Sequence, residues 1–280
     1  MPTGKRRRLL WWLAGAIVIV VVVAAAAPFV YIHFIEGPAP QKLQLPAVKS
    51  TTSTSARGSV SSTSTASAAG SALDGTWNVG TGSLAGYRVQ EVLVGQSTTA
   101  VGRTDKVWGS LTISGSNVTK ASFTVDMASV TSDQSGRNAQ FDGRIMDVAQ
   151  YPTAVFTLTS PIALGTIPAG GVVGHYTATG TLTMHGVTKT VTFPVSAERA
   201  GGPIDVLADV PIAFSDWNIA NPSMGGIVTT ADNGTLEVLL NLTQGPGNAP
   251  STSTPSGGFP GGGPITVPST TVPPLSVPNG

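Results

Sequence analysis

The chain runs to 280 residues with a net charge near +1, and 10% of its residues are charged, against about a quarter in an ordinary globular protein. So sparse and even a balance supplies no clustered basic surface, so no nucleic-acid partner is expected. Cysteine is absent, which excludes disulfides, thiolate nucleophiles and thiolate-bound metals and leaves the compartment to be read from the N-terminus.

Lys5, Arg6, Arg7 and Arg8 close a basic N-terminal stretch, residues 1–8, directly before an apolar run. From Leu9 to Ala27 no residue is charged, about the length a helix needs to cross a hydrocarbon core. Trp11 and Trp12 suit the cytoplasmic interface, and Tyr31 and His33 the far one. The expectation is a single transmembrane helix over residues 9–35. Its basic end stays in the cytoplasm, which puts everything after Ile35 on the extracytoplasmic side of the cell membrane. Ala24-Ala25-Ala26 offers an alternative, a cleaved signal peptide and a secreted chain, although the apolar core exceeds the usual 7–15 residues or so. Both readings export the rest.

Residues 36–72 read as a linker. Pro38, Pro40 and Pro46 pass into a Ser/Thr/Ala tract with no helical or strand period, so too little apolar surface is available to offset the entropy of ordering. A flexible tether is expected, of a composition suited to O-glycosylation. Residues 245–280 return to Gly, Pro, Ser and Thr and read as a disordered tail.

Between them, residues 73–244 are long enough for one core. Trp77 and Val79 open this part, and Tyr87, Val89, Glu91 and Leu93 then alternate with Arg88, Val92 and Val94. Trp108, Leu111 and Ile113 precede a turn at Gly115-Ser116-Asn117. Ala121, Phe123, Val125 and Met127 line one side of the next strand, and Ala154 to Ser160 is another. Period two is clearest in the run from Tyr176 to Ser196. Tyr176, Ala178, Leu182 and Met184 fall opposite a row of threonines, and after His185-Gly186 the residues Val187, Val191, Phe193 and Val195 do the same. Glycine at that junction permits the positive φ of a tight hairpin. Val206, Ala208, Val210, Ile212 and Phe214 share a face, as do Leu236, Val238, Leu240 and Leu242 opposite Glu237 and Asn241. About eight short strands broken by Gly, Asn and Pro predict an all-β sandwich or barrel.

One segment departs from period two. Ser132 to Gln150 carries Phe141, Ile145 and Val148 at helical spacing, with Ser132 or Asp133 as cap. Gly136 and Gly143 shorten it, so a short helix lying across one end is expected, stopped at Tyr151-Pro152.

Chemistry-bearing patterns are scarce. The domain's two histidines, His175 and His185, lack the spacing of a metal site, and no metal is expected. There is no G-x-S-x-G elbow, and Gly80-Thr81-Gly82 with Gly86 reads as a turn rather than a dinucleotide loop. Asp142 and Asp147 read as solvated carboxylates on the helix exterior, so no catalytic residue is assigned. Asn117-Val118-Thr119, Asn233-Gly234-Thr235 and Asn241-Leu242-Thr243 match the N-glycosylation pattern.

What remains is an apolar face. Its inward candidates are Phe123, Val125, Met127 and Phe156, then Leu182, Met184, Val191 and Phe193, then Val210, Ile212, Phe214, Leu236 and Val238. In a barrel of about eight strands such residues either fill the interior or surround one ligand. The first outcome is a solid core. In the second the ligand is a lipid chain held by contact area, with at most a polar head at the mouth.

Gly180-Thr181-Leu182-Thr183-Met184-His185-Gly186-Val187-Thr188-Lys189 resembles the G-x-L-T-x-x-G-V-T-K strand-turn-strand of the YceI-like family. Ala128-Ser129-Val130-Thr131-Ser132 with Arg137, then Phe141 to Tyr151-Pro152 and Val155-Phe156, resembles that family's S-x-x-T, R-D, F-D and Y-P-x-x-x-F block. Trp77 is similar to its opening tryptophan, and Phe214-Ser215-Asp216-Trp217-Asn218-Ile219 to its late loop. The family's acidic residue and histidine after Arg137 stand here as Asn138 and Gln140, and Gly143 occupies a stretch that is often bulkier. Over Leu73 to Leu242 the resemblance implies a lipocalin-like antiparallel barrel, exported, enclosing a long isoprenoid-type lipid. The leading expectation is therefore a non-catalytic, membrane-anchored barrel that binds or carries a polyisoprenoid, with no other cofactor. An envelope structural or interaction domain with a solid core is the alternative, and an isoprenoid-modifying enzyme a third.

Overall fold

The structure is a computed structural model and describes residues 11–12, 15–23, 39–46, 73–132, 134–166, 170–199 and 201–248. Most of the expected membrane span over residues 9–35, most of the 36–72 linker and nearly all of the 245–280 tail lie outside the described residues. Residues 15–23 are helical, and Ile17 through Val23 are exposed. Among the described residues no helix is long and apolar enough to cross a membrane.

The strand segments join into one antiparallel sheet that closes on itself. β1 (Gly75–Val79) and β2 (Leu84–Leu93) both run antiparallel to β13 (Asn233–Thr243), meeting it at Val79↔Leu242 and Leu84↔Leu239. They are one long stave interrupted at residues 80–83. There the Ser83 hydroxyl donates to the Gly80 carbonyl (2.8 Å) and accepts from the Asn241 amide (3.0 Å), filling the gap in the ladder. By the same reasoning β3 (Gln96–Thr104) and β4 (Val107–Ser114) form a second stave, since β3 pairs β2 and β4 pairs β1. β5 (Asn117–Asp126) and β6 (Thr131–Ser132) form a third against them. Then follow β7 (Thr153–Leu158), β9 (Gly174–Met184), β10 (Val187–Glu198) and β11 (Ile204–Ala213), each hydrogen-bonded to the next, and finally β13. Short segments β8 (Ile162–Ala163) and β12 (Val228–Thr230) pair β5 and β2 at the margins. Every stave thus pairs with its chain neighbour and the last pairs with the first, giving an eight-stave meander barrel without a free edge.

The β9–β10 hairpin holds the register its alternation predicts, Met184 facing Val187 across the turn. Both turn residues have positive φ, His185 at 48° and Gly186 at 74°. A side chain at Gly186 would meet the Tyr151 ring at 2.7 Å. The threonine rows face outward and link across the pair, Thr179 to Thr192 at 2.9 Å and Thr183 to Thr188 at 2.8 Å.

The break from period two is real but shorter than its spacing predicts. An α-helix spans Ser135–Gln140 and continues as a π-helical turn, Phe141–Ile145. Of the two expected caps, Asp133 lies outside the described residues and Ser132 does not cap the helix. That residue belongs to β6, and its amide and hydroxyl both bond the Asn138 side-chain oxygen, at 2.7 and 2.9 Å. Gln134 precedes the helix and makes no side-chain cap. With no buried residue before Phe141, the first turn has little packing to extend it.

Part of the expected tether lies against the barrel. Residues 39–46 follow the outer wall, where the Arg88 guanidinium donates to the Pro40 carbonyl (2.7 Å) and that of Arg103 to the Gln41 carbonyl. Beneath them Glu237, fully screened from solvent, accepts from Arg88 at 2.7 Å and from Arg103 at 2.9 Å. The register explains the reach. Glu237, Gly86 and Arg103 stand side by side on neighbouring strands, and a side chain at Gly86 would come within 2.9 Å of the Arg103 Cγ. Glycine leaves the path by which Arg103 crosses to the carboxylate. The start of the expected tail is likewise fixed, with the Asn248 amide donating to the Val79 carbonyl at 2.7 Å.

Candidate functional site

Inward side chains of the staves do not meet in the middle. They enclose a cavity of about 840 Å³, in the upper part of the range of roughly 300–1,000 Å³ typical of ligand sites. The solid core weighed above is therefore not what this barrel contains. The reason is residue size. Ala121 and Ala154, with Ala178 and Ala208, take inward positions beside larger neighbours, and Gly180 is covered by the Phe156 ring, whose atoms lie 2.5 Å from where a Cβ would stand. Several residues facing the hollow consequently remain half-buried, among them Phe123, Val125, Phe156, Val191, Leu236 and Val238.

The structure places every inward candidate on the wall of this one cavity. Phe123, Val125, Met127 and Phe156 line it from the third and fourth staves, and Leu182, Met184, Val191 and Phe193 from the central hairpin. Val210, Ile212, Phe214, Leu236 and Val238 complete the circuit from the last two. Phe156 and Phe193 meet edge to face, 5.3 Å between centroids, across the intervening β9. Charge is absent from this midsection. The Tyr176 phenol also lines it, and burial pushes its pKa up, which keeps it neutral.

The two ends differ. One is packed by Trp77, Val79, Leu111, Ile113 and Leu242. There the Trp77 indole donates to the Leu73 carbonyl at 2.8 Å, and the Arg199 guanidinium lies 5.5 Å from the indole centroid. At the other end the Ser135–Ile145 segment crosses the opening. Phe141 stacks on Tyr87 of β2 with centroids 5.1 Å apart, and Met146, Met184, Ile212 and Trp217 pack under the same segment. Charged groups line both ends, Glu198 and Arg199 beside Trp77 and Glu91, Arg137 and Arg144 around the helical end. Arg137 donates to Glu91 at 2.7 Å, both side chains less than a fifth exposed. Arg144 donates to the Pro222 carbonyl at 3.0 Å, fastening the helical segment to the loop after Trp217.

Glu91, Arg137, Glu198 and Arg199 on the cavity wall are what sequence reasoning left out. The signal for Glu91 was present, because it alternates in phase with Val89 and Leu93 and so had to face inward. Nothing local indicated that Arg137 would meet it. Asp142 also departs from the expected solvated carboxylate: its Oδ1 is buried and has no hydrogen-bond partner among the described residues. His185 is a turn residue whose Nδ1 lies 3.0 Å from the Trp217 carbonyl, and His175 sits on an exposed strand position with Nδ1 3.1 Å from the Ser196 hydroxyl. Among the described residues no group of three or more His, Asp or Glu side chains is placed to hold a metal ion.

No curated protein sequence matches the chain. Among solved structures, it is similar to a polyisoprenoid binding domain from Saccharophagus degradans implicated in plant cell wall breakdown. That match has 16% identity, covers 60% of this chain and 97% of the other, and has a TM-score of 0.47. BcnA from Burkholderia cenocepacia is similar at 27% identity, with 55% and 95% covered and a TM-score of 0.44. A YceI protein from Campylobacter jejuni is similar at 19% identity, with 50% and 83% covered and a TM-score of 0.37. The model of the YceI-like domain matches residues 55–242, more than half of the chain and all the staves but the last residue of β13, and the chain belongs to the YceI-like family.

Proposed function

We propose that this barrel binds one long apolar lipid, of the isoprenoid class that the family resemblance implies, and holds or carries it without chemical change. The observation that supports this most directly is the hollow of about 840 Å³ whose midsection has no charged side chain. Such a wall offers a hydrocarbon chain contact area and the release of ordered water, about 25 cal/mol for each Å² of apolar surface covered. It offers a polar ligand almost nothing. The Arg137–Glu91 pair at the helical end suits a head group at the mouth, with the tail running toward Trp77. An ion pair engaged in this way is a positioning device.

The basic cluster Lys5 to Arg8 and the uncharged run after it support a membrane anchor with the barrel on the extracytoplasmic side. Anchoring raises the concentration of a lipid-binding module beside its source. Protease added outside sealed right-side-out membrane vesicles is expected to digest the linker, and protection there would reverse the assigned side.

Lipid extracted from gently purified full-length protein and weighed by mass spectrometry tests the ligand. Recovery of a long-chain isoprenoid in near-stoichiometric amount is expected. Repeated recovery of empty protein that also fails to take up an added isoprenoid would remove the proposal.

A further inference from the structure

Beside the helical end the barrel carries an apolar lip. It is formed by two turns, the β2–β3 hairpin at Val94-Gly95 and the loop from Ile219 to Ala231 that leads into and out of β12. They are joined by a hydrogen bond from the Val94 amide to the Ile227 carbonyl, 2.8 Å, and by the β12–β2 pairing at Val228↔Leu93. On this lip Val92, Val94, Met224 and Ile227 are between 39% and 55% exposed. Elsewhere in the barrel only Val172 and Val173 are large apolar residues exposed to a similar degree among the described residues.

Val94 is the telling position. Its φ is 47°, a left-handed backbone that a β-branched residue adopts under strain and that asparagine or glycine would adopt freely. The chain therefore keeps an exposed valine where both turn geometry and water would favour a polar residue. The surrounding sequence is uncharged in both turns, from Val92 to Val101 and from Ile219 to Ala231. The turn tips therefore carry no charge of their own into hydrocarbon, and the exposed Arg144, bonded to the Pro222 carbonyl, stands at the edge of the lip. The patch is also continuous with the cavity wall, because Leu93, Met224 and Val228 line the hollow itself.

We infer that this lip docks on a lipid bilayer, with Val92, Val94, Met224 and Ile227 entering the hydrocarbon and setting the barrel mouth against the membrane. The inference rests on the lipid-binding reading above, and it assigns the route by which the ligand enters. Docking here is by apolar contact rather than by attraction to anionic head groups, so a bilayer of neutral phosphatidylcholine suffices.

The absence of cysteine makes the test direct. Single-cysteine variants Val94→Cys, Ile227→Cys and Ser116→Cys, the last on an exposed turn at the opposite end, are made in the full chain. Each is labelled with a polarity-sensitive fluorophore and reconstituted in phosphatidylcholine vesicles. The probes at 94 and 227 are expected to shift to the blue and to be quenched by brominated acyl chains, with the probe at 116 unaffected. Probes at 94 and 227 that match the one at 116, or that become shielded only when another protein is added, overturn the inference. A second variant, Val94→Asn, separates it from the lipid-binding reading. It is expected to melt at a higher temperature, because the turn strain is relieved, and to take up isoprenoid from vesicles several-fold more slowly, with the amount held at equilibrium unchanged. Unchanged uptake rate would sink the lip as an entry route while leaving the ligand assignment standing. A barrel that never holds lipid, with its probes still quenched, would do the reverse.

Discussion

Glu237 has no contact with water although it stands on the outer side of the barrel wall. Burial alone would push its carboxyl pKa up. The hydrogen bonds and positive charges of Arg88 and Arg103 outweigh that and hold it below the ordinary carboxylate value. A carboxyl whose pKa is lowered on folding adds stability that is complete above the unfolded value, near 4.5, and is lost as pH falls through the folded value. Thermal melts between about pH 7 and pH 3 should therefore show a loss of stability below roughly pH 4.5 that a Glu237→Gln variant lacks over the same window. The variant should already be less stable at neutral pH, by on the order of 3 kcal/mol, because two guanidiniums are left without their anion. An equal acid response in both proteins would disprove the linkage. None of this could be read along the chain. Glu237 follows period two and so reads as a solvent-facing strand residue. It is enclosed because glycine happens to occupy the neighbouring position on one strand and arginine the next.

The strands themselves were legible, since period two survives in nearly every one of them, and so was the central hairpin, whose turn residues and register agree with the alternation on either side. Less visible was that three pairs of segments are single staves with interruptions. Serine and glycine at 80–83 read as a loop, and only the register against β13 shows the stave continuing. The helical segment was found by its spacing but placed too early, because Ser132 has the composition of a cap and a role in pairing with β3. Gly109 belongs to the same level. It lies mid-strand with φ of 134°, and a side chain there would fall 2.1 Å from the Ser122 carbonyl and 2.8 Å from the Phe123 Cα. Gly109→Ala should push β4 from β5 and lower stability by roughly 2–3 kcal/mol, the upper part of the range for single substitutions. Chemical denaturation measures this, and a change below about 0.5 kcal/mol would show that the two strands part without cost.

For the molecule as a whole, the decisive fact is that the barrel is hollow, and the order of residues along each strand did not reveal it. Filling depends on which side chains face one another across the interior, and small ones such as Ala121, Ala154, Ala178 and Ala208 are spread over four staves. The same property is open to manipulation. Ala154→Trp combined with Val191→Trp places two large rings in the midsection and should reduce extracted lipid several-fold. The fold should be retained, as read by an unchanged far-ultraviolet circular dichroism spectrum. Full lipid content in that variant would mean that the ligand lies elsewhere. The fastening of residues 39–46 to Arg88, Arg103 and Asp209 (Lys42 lies 3.8 Å from the last) bears on the molecule in another way. Two segments of the chain, 39–46 and that from Leu73 onward, thus both touch the same barrel. After a cut between those two segments, the upstream piece would keep its contacts to Arg88, Arg103 and Asp209, so replacing the two arginines should speed its release.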